Sequence, residues 1–356
     1  MNLLVSTNVY KPGKLTRVIP HLHAFRGQIG VELFPMFDAD CYEEELLHCL
    51  PEFEGIPVSF HGPYYETEHS AAPGTPEYAH SMDLIRQTLP YCVRLQSQYL
   101  VFHHNNIPVT EERREEMIRV SRENYREIAE LFKPHQIPVV VENAGVLDRG
   151  NMLFDQDAFI QLCREEHYPV LIDIGHAYAN GWDLEQTMEA LKDQIVAYHL
   201  HNNDGVHDSH QRIFHGTLDF PLFLSDYQRL TPNADLVLEY SPNVADDESG
   251  IQEDISWLLE QIRRQLMLSE KKLFLFDIDG TVALGDVLLP GAAEFFQEIK
   301  ERGGQFVFIT NNSTKSIADY IKKFRQMGVS TDPQNFVTAS TASASWLRQH
   351  AAGKTI

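Results

Sequence analysis

The chain has 356 residues, an apolar fraction of 43% and a net charge of −22, enough for two domains with real cores. Residues 1–269 hold 19 Lys+Arg against 42 Asp+Glu, and residues 270–356 hold 10 against 9, so the acidity belongs to the first part and argues against a nucleic-acid partner. No run of 18 apolar residues and no basic, then apolar, leader stands in the sequence, which argues against a membrane span or secretion signal. Cys41, Cys49, Cys92 and Cys163 are scattered without a CxxC and read as free thiols of a reducing cytoplasm.

In chain order, strand-like runs begin near Leu3, Ile29, Val58, Tyr99, Pro138, Pro169, Val196 and Leu236. Between them lie CYEEELLHCLPEF, PEYAHSMDLIRQTLPYCVRLQ, EERREEMIRVSRENYREIAELF, FDQDAFIQLCREE and DLEQTMEALKDQ, with apolar residues at helical spacing. IQEDISWLLEQIRRQLML follows as an eighth helix ending near Leu268. Eight strands alternating with helices predict a parallel (β/α)8 TIM barrel over residues 1–268. No GxGxxG follows the first strand, as an open dinucleotide-binding sheet would require.

After the polar link Ser269-Glu270-Lys271-Lys272, a second α/β domain is expected over residues 269–356. Its elements are the strand LFLFDIDGTV, the helix GAAEFFQEIKERGG, the strand QFVFITNNS and the helices IADYIKKFRQMG and TASASWLRQH, with KTI opening a further strand.

Several barrel runs end in metal-binding residue types. VSFHGPY carries His61, YLVFHHN carries His103 and VVVENAG carries Glu142. VLIDIGHA carries Asp173 and His176, VAYHLHNND carries His199 and His201, and LVLEYS carries Glu239, while Asp208-Ser209-His210 lies beyond the seventh strand. Axis-facing residues at the carboxyl ends of barrel strands point into one mouth. A carboxylate buried there needs a partner charge or a cation, and this mixture of His, Asp and Glu suits Zn, Mn, Co or Fe. His199 and His201 face the same side of one strand, so spacing alone leaves the choice between them open. Sixteen of the 17 histidines precede residue 270; taken singly, His21, His23, His48, His69, His80, His135, His167 and His207 read as packing or surface residues, and His104 and His215 stay undecided.

The run HGPY, FHH, ENAG, DIGHAYANG, HLHNNDG, DSH, LEY resembles the xylose-isomerase-like TIM barrel superfamily, which includes sugar isomerases and epimerases and the endonuclease IV type of DNA-repair enzyme. The resemblance covers most of residues 1–265. It implies that His61, His103, Glu142, Asp173, His176, His199 or His201, Asp208, His210 and Glu239 match the ligand positions of the endonuclease IV type, which holds three zinc ions. The epimerase type implies only Glu142, Asp173, the strand-seven histidine and Glu239 around one Mn or Co ion. The HLHNNDG motif is similar to an HxHDN pattern and leans towards His201, with Asn202 departing from that pattern's Asp. Under the epimerase reading Glu142 and Glu239 move a proton at the carbon next to a carbonyl of a sugar or sugar phosphate. Under the phosphodiesterase reading metal ions supply hydroxide and stabilise a leaving oxygen. Grip on a bent duplex calls for basic and aromatic loops; YYETEHSAAPGTPEY, GVLDRGNMLFDQ and SPNVADDESG offer only Tyr64, Tyr65 and Arg149. The sugar reading is therefore the leading expectation.

DIDGT followed by TNNS resembles the haloacid dehalogenase (HAD) superfamily, in its sugar-phosphate and nitrophenylphosphate phosphatase branch. The resemblance implies Asp277 as a nucleophile, Asp279 as a general acid/base, and Mg held by Asp277, the Asp279 carbonyl and a later carboxylate. Thr310 would hold phosphoryl oxygens, with Asn311 in support. The branch's cap, lysine and final acidic pair do not occur by Ile356, so the second domain reads as the opening portion of a phosphatase with little activity of its own. Half a sheet leaves apolar surface to be covered, and a homo-oligomer is compatible with that expectation.

Overall fold

The computed structural model describes residues 1–269, 271–312 and 314–351. Two compact units divide between Leu259 and Glu260, within a helix that runs Glu248–Ser269; the expected boundary at 268/269 falls instead at that helix's end. Glu270 of the polar link, Ser313 of TNNS and the KTI segment lie outside the described residues.

Among the described residues of the first unit, eight strands close into a parallel barrel in sequence order. They are β1 (Leu3–Ser6), β2 (Gly30–Leu33), β3 (Val58–His61), β4 (Leu100–Phe102), β5 (Val139–Glu142), β6 (Val170–Asp173), β7 (Ile195–Leu200) and β8 (Asp235–Leu238). Nearly every strand residue is buried, because helices cover the outside of the ring and side chains fill the inside. Tyr99, Val101, Val140, Leu171 and Ala197 pack on one another inside it. His103, Glu142, Asp173 and His199 each stand two residues beyond a member of that layer, and two-residue periodicity places them on the same inward side, one level higher. An apolar floor thus lies beneath the mouth.

The five amphipathic stretches form helices at Tyr42–Phe53, Pro76–Arg94, Glu111–Phe132, Gln156–Glu166 and Leu184–Leu191. Thr75, Asp155 and Asp183 cap three of them, each side chain accepting a backbone N–H of the first turn. Helices at Ile19–Ala24, Ile174–Ala179 and Phe220–Leu230 were not among the stretches named from sequence. The last begins FPLFL, where an apolar run hides the helical spacing, and Asp219 caps it. All four cysteines are free thiols, with Cys41 alone exposed. No described helix is long and apolar enough to cross a membrane.

The second unit contains β9 (Leu273–Asp277), the hairpin β10 (Ala283–Leu284) and β11 (Val287–Leu288), β12 (Gln305–Thr310) and β13 (Phe336–Thr338). The parallel sheet order is β13-β12-β9. The two final helices are not consecutive, as the sequence suggested; β13 separates them and pairs with β12. A three-residue strand is too short to show alternation. One face of the sheet meets helices Ala292–Glu301 and Ile317–Gln326 through Phe296, Phe306, Phe308, Phe324 and Phe336. Leu273, Leu275, Ile309 and Val337 remain 53%, 59%, 43% and 40% exposed, which is the uncovered apolar surface expected of a partial sheet.

Candidate metal centre

Every barrel residue singled out from sequence lies at the carboxyl-end mouth. His61 ends β3, Glu142 ends β5 and Asp173 ends β6, while His103 and Glu239 stand one residue past β4 and β8. His199 lies within β7 and His201 just beyond it, and the following loop carries Asp208 and His210. Of this set only His210 is not fully buried. Asp173 has a local duty as well: its Oδ1 accepts the His176 backbone N–H at 2.6 Å, capping helix Ile174–Ala179 and holding His176 over the mouth.

Glu142 is the hub. Its carboxylate lies 2.8 Å from His103 Nε2, 3.2 Å from His176 Nδ1, 3.4 Å from His199 Nδ1 and 3.7 Å from His61 Nε2. His199 Nδ1 is also 3.3 Å from Glu239 Oε2. His201 Nε2 meets Asp173 at 2.9 Å. Asp208 lies 3.0 Å from His210 Nε2 and 3.4 Å from His176 Nε2. His61–His103–Glu142, Glu142–Asp173–His199 and Asp173–His176–His201–His210 each offer ligand atoms within 4.8 Å of one another, so the groups share members and adjoin.

The geometry separates the two strand-seven histidines. His199 sits between Glu142 and Glu239, where a four-ligand site would need it, although the motif leaned towards His201. His201 faces Asp173 and the Asp208 side. Its ring lies so close to Gly175 that a Cβ there would run into it. Asn202 does more than stand in for the Asp of the motif: its Nδ2 donates to the Ile213 and Leu218 carbonyls at 2.7 and 3.1 Å, bonds an aspartate could not make.

Burial works against charge throughout this cluster, and mutual attraction outweighs it. His103 and His199 hold the Glu142 carboxyl well below the usual range against its burial. Asp173 is likewise lowered, to about 2, by His176 and His201 against burial. Despite burial, neighbouring carboxylates raise His176 and His199 well above the ordinary value, and Asp208 raises His210 to about 9. Yet the buried His176 Nδ1, His199 Nδ1 and Asp208 Oδ1 have no hydrogen-bond partner. Converging nitrogen and oxygen atoms of which these three are left unsatisfied fit a divalent cation, and the mixed set suits Zn, Mn or Co.

Sequence reasoning missed Glu32. It sits in the middle of β2, fully buried, accepting from Ser59 Oγ at 3.2 Å and lying 3.0 Å from His199 Nε2. A lone carboxylate inside GVELF was its signal. With Nε2 turned to Glu32, Nδ1 of His199 faces the mouth, the usual way a carboxylate orients a metal-binding imidazole. Asn8 was missed too; its amide lies 3.5 Å from Glu239 Oε1. Above the cluster opens a cavity of about 190 Å3 lined by Asn8, Phe34, Tyr64, Tyr65, Asn106 and Arg149 as well as by His61, His103, Glu142, His176, Asp208, His210 and Glu239. Arg149 reaches Asp208 at 3.2 Å. Of the undecided histidines, His104 is buried on Ser121 Oγ at 3.0 Å, and His215 is exposed.

In the second unit Asp277 ends β9 and Asp279 follows on the turn, both exposed. Thr310 ends β12 and is buried, and Asn311 is exposed. Among the described residues no group of three His, Cys, Asp or Glu side chains with ligand spacing includes Asp277 or Asp279.

A family model described as a xylose isomerase-like TIM barrel matches residues 24–261, and one described as a haloacid dehalogenase-like hydrolase matches residues 274–356. Curated relatives match over a minor share of the chain. Phosphoglycolate phosphatase 1A of Arabidopsis thaliana is 35% identical over 82 residues, 23% of this chain and 23% of that protein. Glycerol-3-phosphate phosphatase of Rattus norvegicus is 37% identical over 116 residues, 31% of this chain and 36% of that protein. The chain thus spans about a quarter to a third of the length of these relatives. Solved structures match the barrel. A D-tagatose 3-epimerase-like protein has TM-score 0.60 and 18% identity, covering 75% of this chain and all of its own. An IOLI protein with a bound zinc atom has TM-score 0.57 and 16% identity, covering 74% and 99%. A family 2 AP endonuclease from Brucella melitensis has TM-score 0.55 and 17% identity, covering 73% and 98%. At these identities the likeness is one of fold.

Proposed function

This chain belongs to the xylose isomerase-like TIM barrel family and carries a haloacid dehalogenase-like domain after it; from that premise we propose that the barrel is a metal-dependent isomerase or epimerase of a sugar or sugar derivative, working by proton transfer next to a carbonyl. The observation that carries this reading is the pair Glu142 and Glu239, whose carboxylates flank His199 Nδ1 at 3.4 and 3.3 Å beneath a cavity of about 190 Å3. A volume below the usual range for drug-sized ligands suits a small polar substrate. Glu142, Asp173, His199 and Glu239 would hold the cation, which when bound polarises the substrate carbonyl and acidifies the neighbouring C–H. One carboxylate of the pair takes that proton and the other returns one to the opposite face. Asn8 and Arg149 line the cavity as donors for substrate hydroxyls, and Phe34 and Tyr64 line it with their rings.

A second reading has its own support. His61 and His103 on one side, and His176 and His210 with the nearby Asp208 on the other, add groups that a four-ligand site does not use. Two or three cations there would suit hydrolysis of a phosphoester. The net negative charge of residues 1–269 disfavours a nucleic acid as that phosphoester. The deciding experiment combines metal content with exchange of solvent deuterium into a panel of ketoses and sugar phosphates. One Mn, Co or Mg ion with deuterium entering one sugar upholds the isomerase. Two or three zinc ions with no exchange and with phosphodiester cleavage would replace it by the hydrolase.

The second domain is proposed as a phosphatase portion in which Asp277, Asp279, Thr310 and Asn311 correspond to phosphate and Mg positions, with the remaining ligand to come from elsewhere. Its relatives' names carry phosphoglycolate and glycerol-3-phosphate, so a small phosphorylated carbon compound is the substrate class we assign to a completed form.

A further inference from the structure

Beside the polar cavity, at the same end of the barrel, lies a second cavity of about 380 Å3. Its walls come from loops after four strands, with Tyr10 after β1, Met36 and Phe37 after β2, Tyr65 after β3 and Pro242 after β8; Leu84 of helix Pro76–Arg94 closes it behind. The lining presents carbon rather than donors. The Tyr10 hydroxyl is taken up by His21 at 2.9 Å, leaving its ring to the cavity. Phe37 stacks on Tyr91 and sets its edge to Tyr42, with ring centres at 5.7 and 5.2 Å, so its position is fixed by packing. The charged lining residues, Lys11 and Asp38, are both exposed, and Asp38 is paired with His80 at 3.3 Å.

Tyr65 and Pro242 line both cavities. Tyr65 is 46% exposed, with its ring 5.8 Å from Phe34 of the polar side. The two spaces are therefore neighbours across one aromatic wall. An apolar hollow open to water has an unfavourable surface that a ligand group can cover, and an apolar pocket beside convergent polar groups is the ordinary form of a small-molecule site. Apart from the exposed Lys11 and the His80-paired Asp38, the hollow offers no metal donors and no hydrogen-bond array for a second sugar. What complements it is an apolar, ring-sized group attached to whatever the polar cavity holds.

We propose that this cavity is the subsite for an apolar substituent of the barrel's substrate, which makes that substrate a sugar derivative with an aryl or similar group and not a free monosaccharide. The sugar half of this statement rests on the isomerase reading; the apolar half does not. The test uses the zinc-loaded full chain and saturation-transfer NMR, with phenol as the first probe and phenyl and methyl β-D-glucoside as a pair. Phenol protons receive saturation in the parent protein and lose at least about fivefold in both Ala39→Trp and Met36→Trp, which fill the hollow. Metal content and thermal midpoint of each variant, measured alongside, show that it is folded. The phenyl glucoside binds about tenfold tighter than the methyl glucoside, and the filled variants remove that difference. No phenol signal, or an equal signal in the parent and in both folded variants, overturns the subsite. Phenol binding that the variants abolish upholds it even if no sugar exchanges deuterium, an outcome that would sink the isomerase reading alone.

Discussion

The two units of this chain put the same residue types at the ends of parallel strands and obtain different results from them. In the barrel, Glu142 on β5 comes within 3.7 Å of histidines borne on or just after β3, β4, β6 and β7. In the second unit Asp277 and Asp279 stay exposed at the end of β9, without a third ligand among the described residues. Closure makes the difference. Strands in a ring aim inward-facing side chains at a common axis, whereas a three-stranded open sheet gives each end only its immediate neighbours. A motif such as DxDGT marks a position in a fold; the fold's remaining elements supply the site.

Four substitutions sharpen or break that comparison. The largest effect belongs to Glu142→Ala, which removes the carboxylate common to two ligand groups. Metal affinity should fall by more than about 100-fold, beyond the range typical of outer-shell partners, and equilibrium dialysis with zinc reads it directly. Unchanged affinity would mean that the histidines around Glu142 are packing and not ligands. Asp208→Asn touches only the β6–β7 side, so it should leave a cation held by Glu142, Asp173, His199 and Glu239 in place and weaken by about 10- to 100-fold any further cation on that side. Loss of all metal there would show the groups to be one cooperative unit.

A third prediction distinguishes two kinds of buried histidine within the barrel. His69 packs on Phe102 with ring centres at 4.9 Å, and burial, with a smaller push from His103, lowers its pKa to about 3. It is neutral in the folded chain, while in the unfolded chain it takes a proton below about pH 6.5. The unfolded state then binds more protons, so stability is lost as pH falls from 6.5 towards 3, by up to about 1.4 kcal/mol per pH unit. His69→Gln should flatten the urea midpoint between pH 6.5 and 4.5 relative to the parent; parallel curves would contradict the assignment. The smallest effect is expected from Asp277→Asn, an exposed end-of-strand change worth less than about 0.5 kcal/mol. It should leave barrel metal content and the hydrolysis of p-nitrophenyl phosphate, at background in the parent, unchanged. A measurable phosphatase that this substitution abolishes would show that the open unit is already a working site.

Much of this architecture could be read from residue order. All eight barrel strands begin within one residue of their expected starts, because apolar runs of four to six residues between amphipathic helices leave few alternatives. The residues that gather at the mouth were legible for the same reason: a charge after VVV or VLI stands out against its surroundings. What escaped was set by contacts across the ring. Glu32 lies mid-strand, where no strand-end rule points, and its role appears only when β2 faces β7. His199 and His201 share one face of one strand, so only the position of Glu142 and Glu239 separates them. Helix Phe220–Leu230 is apolar on too many sides to show a period, and β13 is too short to show one.

The most direct test of the central claim, that the barrel mouth is a metal centre organised around Glu142, is metal content per chain by mass spectrometry on the parent and on Glu142→Ala. The account predicts at least one tightly held divalent ion in the parent and at least one ion fewer in the variant. A parent that holds no metal even after incubation with zinc, manganese and cobalt would contradict it.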